Sequence, residues 1–231
     1  MLLKQVFLKL ISILMLSSLM MILGCNSGSS ELIINSDNNA SSELPASGLA
    51  LALANLPIES LSNEEEQAII FMREEEKLAR DAYELFYQLW NQNIFNNIAA
   101  AEQTHMDAML LLINRYQLTD PIKSNEAGMF INVELQSLYD SLIAVGSNSL
   151  IDSLMVGAEI EEVDLIDLEV RYLESDNQDI HLIFDSLMKG SRNHLRSFVS
   201  NLLNQGLAYV PRHLTQEEYD AIINSPMETE G

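Results

Sequence analysis

The stretch Ala99-Ala100-Ala101-Glu102-Gln103-Thr104-His105-Met106-Asp107-Ala108-Met109 sits inside a segment that otherwise reads as an apolar-faced helix. Residues three and four apart share one helix face, so Glu102 and His105 continue the stripe of Ile98, Ala101, Met109, Leu112 and Tyr116. A carboxylate and an imidazole therefore point at a core. An ionised carboxylate buried alone costs several kcal/mol or more, so it must be protonated, paired or bound to a cation. A Glu-x-x-His pair on each of two helices, with a further Glu from each of two others, is how a helix bundle builds a two-metal carboxylate centre.

The remaining segments supply such helices. Ser62 and Glu65 are spaced as a capping box, opening a helix that runs to about Trp90. Its stripe is Ile69, Met72, Glu76, Ala79, Tyr83, Phe86 and Trp90, which turns Glu76 inward and leaves Arg73 and Glu74 off the core face. Glu75 lies about 100° from Glu76 and is the second choice. A break at 91–97 leads into the helix of Glu102 and His105, which runs to about Tyr116; so short a connection makes the two antiparallel neighbours. A long connection, 117–146, has a stop at Asp120-Pro121 and a short helix from Val133 to Val145, and it suits a crossover between bundle ends.

The third bundle helix, 149–173, admits two inward registers. One contains Leu154, Ala158, Glu161, Leu165 and Leu168; the other contains Met155, Ala158, Glu162, Leu165 and Glu169. The spacing from Glu76 to Tyr83 recurs from Glu162 to Glu169, which favours Glu162 and leaves Glu161 as the alternative. The fourth helix, 177–205, carries Ile180, Phe184, Leu187, Ser191, His194, Phe198 and Leu202 on its stripe, so His194 faces inward with Ser191 one turn before it. Thr215 and Glu218 form a second capping box and open a short helix to Asn224, expected to fold back over a bundle end.

Residues 1–24 have lysines at 4 and 9 followed by an apolar run, the pattern of a targeting segment. The run ends at Ile22-Leu23-Gly24-Cys25, which resembles the lipobox of a bacterial lipoprotein and implies cleavage before Cys25 and lipidation of its sulfur. A single membrane anchor or an ordinary signal peptide are the alternatives. Residues 25–56 then read as a flexible tether reaching roughly 30 Å, although Leu49 to Leu56 is apolar enough to pack on the bundle. Residues 57–208 are the bundle, and 209–231 a short helix with its tail.

Cys25 is the chain's one cysteine, so metal ligands in the folded part must be oxygen or nitrogen, which suits iron, manganese or zinc. Loss of the leader's two lysines takes the formal charge from -22 to about -24. So acidic a chain is unsuited to nucleic acid, whose binding depends on Lys and Arg neutralising phosphates.

Four stretches, Arg73 to Tyr83 (REEEKLARDAY), Asn97 to Asp107 (NIAAAEQTHMD), Val156 to Leu168 (VGAEIEEVDLIDL) and Lys189 to Phe198 (KGSRNHLRSF), resemble the ferritin-like family known as domain of unknown function 2202. The similarity covers roughly Leu56 to Asn224. It implies an all-α fold: a ferritin-like four-helix bundle with one long crossover connection and a short C-terminal helix. More distantly, the pattern is similar to rubrerythrin and ferritin, in which each helix pair gives one Glu and one Glu-x-x-His to a di-iron site. Carried over, Glu76, Glu102 and His105 match the first half, and Glu162 (or Glu161) and His194 the second. Ser191 departs from the pattern, leaving the set one carboxylate short.

What the resemblance implies is a metal-binding protein of the bacterial cell envelope, membrane-anchored through Cys25. Iron is the expected cofactor, di-iron or mononuclear, with manganese the alternative, and oxidation of iron(II) by oxygen or peroxide the chemistry. Tyr83 and Ser191 would stand behind the ligands, as would Asp107, Asp164 or Asp167. A structural or interaction module with no catalysis is the competing expectation.

Overall fold

A computed structural model describes residues 46–229; Cys25, the leader and most of the expected tether lie outside the described residues. The described residues form seven helices and no strand: α1 (Ala46–Leu53), α2 (Asn63–Trp90), α3 (Asn93–Arg115), α4 (Val133–Gly146), α5 (Leu150–Glu174), α6 (Gln178–Asn204) and α7 (Gln216–Ile223). None of them is long and apolar enough to cross a membrane.

Local chemistry sets the ends. The Ser62 hydroxyl accepts from the Glu65 N–H while Glu65 accepts from the Ser62 N–H, so both orphan donors of the first turn of α2 are satisfied. At its other end Asn91 takes a left-handed conformation, φ 51°, and only Gln92 separates it from α3. Asn132, Ser149 and Thr215 cap α4, α5 and α7 through their side-chain oxygens. Two helix hairpins result, α2/α3 and α5/α6, packed against each other through α2 with α5 and α3 with α6. This is a four-helix bundle with one long crossover, and α7 rests on α6.

The core is a continuous apolar set, including Ile69, Met72, Met109, Leu112, Leu168, Ile180 and Phe184. Leu49 and Leu53 of α1 belong to it, which corrects the reading of 25–56 as tether throughout. The segment behind α1 is tied down as well, since Arg115 donates to the carbonyls of Leu56 and Pro57.

A second correction concerns the charged face of α2. Arg73 and Glu74 are buried because the crossover lies over them. Glu74 accepts the backbone N–H groups of Ile131 and Asn132, and Arg73 pairs with Asp120. Lys77, 1% exposed, donates to Asp81 and to the Glu126 carbonyl and lies 4.6 Å from the centre of the Phe130 ring. Arg80 reaches Gln103 and Asn125, and Gly128 donates its N–H to Asp81. Each of these buried charges, from Arg73 and Glu74 to Lys77, Arg80 and Asp81, has a partner of opposite sign, a polar side chain or a backbone group, which such burial requires.

Candidate metal centre

Glu102 is the hub. It comes from α3, one turn before His105, and its two carboxylate oxygens face different histidines: Oε2 lies 2.8 Å from His105 Nδ1, and Oε1 lies 2.9 Å from His194 Nδ1 on α6. Glu76 of α2 approaches the same His105 nitrogen with Oε2 at 3.1 Å, and Glu161 of α5 approaches His194 Nδ1 at 3.5 Å. Two groups follow, Glu76–Glu102–His105 and Glu102–Glu161–His194, and the ligand-type atoms within each lie within 4.8 Å of one another. All five residues are buried, and the two imidazole rings are 5.5 Å apart, centre to centre.

Four of the five preferred sequence candidates, Glu76, Glu102, His105 and His194, meet in this way. Glu162, the preferred residue on α5, does not. Its carboxylate accepts the backbone N–H groups of Arg212, His213 and Leu214 and anchors the chain that leads to α7. Glu161, the alternative, stands in the centre. The ambiguity has a physical origin: α5 is covered by α2, α4, α6 and the 212–214 segment, so Glu161 and Glu162 are both buried, facing different neighbours. The separating signal was the apolar pair Leu154 and Leu168 of the first register, both buried, against the exposed Glu169 of the other.

The surrounding residues fix the ligand-type side chains. Tyr83 donates its hydroxyl to Glu161 Oε1 at 2.5 Å and reaches the Gly157 carbonyl at 3.3 Å. Ser191 donates to Asp164 Oδ2 at 2.6 Å. Asp164 is buried outside the two groups, one helical turn beyond Glu161 on the same face of α5. Glu75 is buried too, with neither carboxylate oxygen hydrogen-bonded among the described residues. Asp167 is held by Arg171 at 2.9 Å, and Asp107 is on the surface. His181 bonds the carbonyls of Tyr172 and Ser175, and His213 contacts Glu159, so both belong to the scaffold.

The electrostatics set an ionised Glu102 among neighbours that hold their protons. Burial alone would raise Glu102, but the His105 and His194 imidazoles outweigh it and hold the carboxyl at about 2. Burial alone would lower His194; the carboxylates of Glu102 and Glu161 reverse this and push it well above the usual imidazole range. Glu161 is raised to about 7, first by burial, with His194 opposing and Glu102 adding to the rise. Glu76 is raised by burial and then by the Asp164 charge. A cation can replace imidazole and carboxyl protons at the same atoms.

Fold and site together define an all-helical bundle with buried Glu/His groups that could hold metal ions. The chain belongs to the uncharacterized protein domain family DUF2202, which residues 65–226 match. It is 47% identical over 176 residues to the uncharacterized protein MJ0754 of Methanocaldococcus jannaschii, covering 76% of this chain and 95% of that one. The crystal structure of hypothetical protein MJ0754 from Methanococcus jannaschii DSM 2661 superposes with a TM-score of 0.74 over 75% of this chain and 99% of its own.

Proposed function

We propose that this protein binds a pair of divalent cations, iron or manganese, between its two hairpins and acts as an iron(II)-oxidising ferroxidase or related oxidoreductase. The observation that carries this is the shared Glu102, whose two oxygens face two separate Glu/His groups as a carboxylate bridging two ions would. Further support comes from Glu76 Oε1, a buried oxygen with no hydrogen-bond donor among the described residues, and from a donor set of carboxylate and imidazole suited to iron or manganese.

Iron(II), when bound, would be the reductant: two ions would give two electrons, with two protons from solvent, to reduce dioxygen to hydrogen peroxide or peroxide to water. The chain's own residues do the rest. Glu76 and His105 would hold one ion, Glu161 and His194 the other, and Glu102 would serve both. Tyr83 fixes the orientation of Glu161. Packing by Phe95 and Phe198 beside Tyr83 keeps bulk water away from that side. We also propose anchoring in a bacterial envelope membrane through a lipid on Cys25, on the strength of the sequence around it.

The test is metal content and iron(II) oxidation in the parent against Glu102→Ala and His105→Ala. Stoichiometric metal in the parent, lost in both variants, with oxygen consumption in the parent alone, is expected. A parent that stays metal-free after iron loading refutes the proposal. The alternative of a structural helical module would then stand, supported by the contacts that join Glu76, His105, Glu102 and His194 to one another.

A further inference from the structure

The ferritin-like pattern calls for a carboxylate at position 191, where this chain has Ser191. Three glutamates leave two divalent cations with one uncompensated positive charge inside a dry bundle, and that is costly. A fourth acid is nevertheless present. Asp164 is buried, and it follows Glu161 by three residues, so α5 presents both carboxylates on one face. The Ser191 hydroxyl holds Oδ2 at 2.6 Å, which ties the aspartate to the very position where a carboxylate is missing. Its other oxygen, Oδ1, is buried and has no hydrogen-bond donor among the described residues, and the same is true of Glu76 Oε1. The helices that carry these two acids, α2 and α5, pack against each other, and each acid keeps a buried oxygen that no protein donor among the described residues satisfies.

We infer that Asp164 is the fourth carboxylate of the centre, supplied by α5 in place of an acid on α6, and that it completes the ligand set. The inference rests on the metal-binding reading proposed above. It changes the form of the centre. The hairpin α2/α3 contributes Glu76, Glu102 and His105, while α5 contributes the sequence Glu161-x-x-Asp164 and α6 contributes His194 alone. Ser191 becomes a positioning residue that fixes the Asp164 side chain. Four carboxylates then balance the charge of two divalent ions.

The experiment uses the full chain, with Asp164→Asn, Ser191→Ala and Glu102→Gln beside the parent. Each is titrated anaerobically with cobalt(II), and bound metal is counted after gel filtration. Urea unfolding is followed with and without cobalt. Two ions are expected in the parent and in Ser191→Ala, one in Asp164→Asn and none in Glu102→Gln. Without metal, Asp164→Asn is expected to unfold at a higher urea concentration than the parent, because a neutral amide replaces one of several crowded buried acids. With cobalt the order reverses. A structural aspartate would instead weaken the fold equally in both states.

Two ions bound by Asp164→Asn at parental affinity overturn the inference while leaving the metal centre standing. A metal-free variant less stable than the parent, or unable to fold, overturns it as well. One ion in the parent, lost in Glu102→Gln, retains metal binding and removes the role of Asp164. No ion in the parent refutes both readings.

Discussion

Gly157 lies on α5 against the Phe198 ring of α6, one turn before Glu161, while Phe198 lies one turn after His194. A methyl group at position 157 would meet Phe198 Cζ at 2.6 Å and Cδ1 at 2.8 Å. Carbon atoms prefer 3.5 Å or more, so the ring or the helix must retreat by about 1 Å. Phe198 has little room, being fully buried with its ring centre 5.2 Å from Tyr83 and 6.0 Å from Phe95. Overpacking of this kind costs about 1–3 kcal/mol, and a rigid ring wedged between two others belongs at the upper end. Replacing glycine inside a helix returns roughly 1 kcal/mol. Gly157→Ala should therefore lose about 2 kcal/mol, which for a domain of this size lowers Tm by roughly 4–8 °C. The assay is thermal and urea unfolding of the metal-free protein, with Phe198→Leu and the double variant completing a cycle. The smaller leucine should make room for the methyl group and give a coupling of at least about 1 kcal/mol. A variant as stable as the parent, with no coupling, would refute the close-packing argument. In cobalt titrations the same displacement should weaken the Glu161–His194 side and spare the Glu76–His105 side.

Glu162→Ala removes the acceptor of three backbone N–H groups at 212–214 and should cost about 3 kcal/mol in urea unfolding. Its metal content should be unchanged, and loss of metal there with retention in Glu161→Gln would reverse their assignment. Affinity for cobalt should rise between pH 6 and pH 8, because Glu161 at about 7 and Asp164 at about 8 must give up protons to a cation. The metal-free protein should behave oppositely on the alkaline side: the raised His194 stabilises it below the unfolded imidazole pKa of about 6.5, and that stability is lost as pH climbs through the raised value. Calorimetric titrations in buffers of different ionisation enthalpy measure the protons released, and a pH-independent affinity would contradict the arrangement. A chain beginning at residue 57 should melt below one beginning at 46, losing about 3–5 kcal/mol with the buried Leu49 and Leu53; equal melting curves would show that α1 adds nothing.

The long helices were readable because their signals are local. Ser62 with Glu65, Ser149, and Thr215 with Glu218 mark helix starts, and the period of three and four residues carries each long helix to within a residue or two of its observed C-terminal end, whereas α3 begins at Asn93, inside the break expected at 91–97. The inward positions of Glu76, Glu102, His105 and His194 were readable for the same reason, since each interrupts an otherwise apolar stripe. What escaped depends on distant chain. Arg73 and Glu74 look like a solvated face until the segment 120–132 is laid over them. Glu161 and Glu162 differ only in which neighbour covers them. Asp164 reads as one of three aspartates that could stand behind the ligands, and only its meeting with Ser191 of the neighbouring α6 sets it apart.

The Glu102 bridge between hairpins has a kinetic consequence. Glu76, Glu102 and His105 move with α2/α3, Glu161 and His194 move with α5/α6, and none of the five is more than 2% exposed. An ion held there, as proposed, would arrive or depart only while the hairpins part, and local opening of this kind has its own rate, set by the packing between them. Uptake would then be a gated process that saturates at the opening rate however much metal is supplied. An enclosed ion would tie the two hairpins together and delay the next opening, so the bundle would act as a slow valve that loads more readily than it empties.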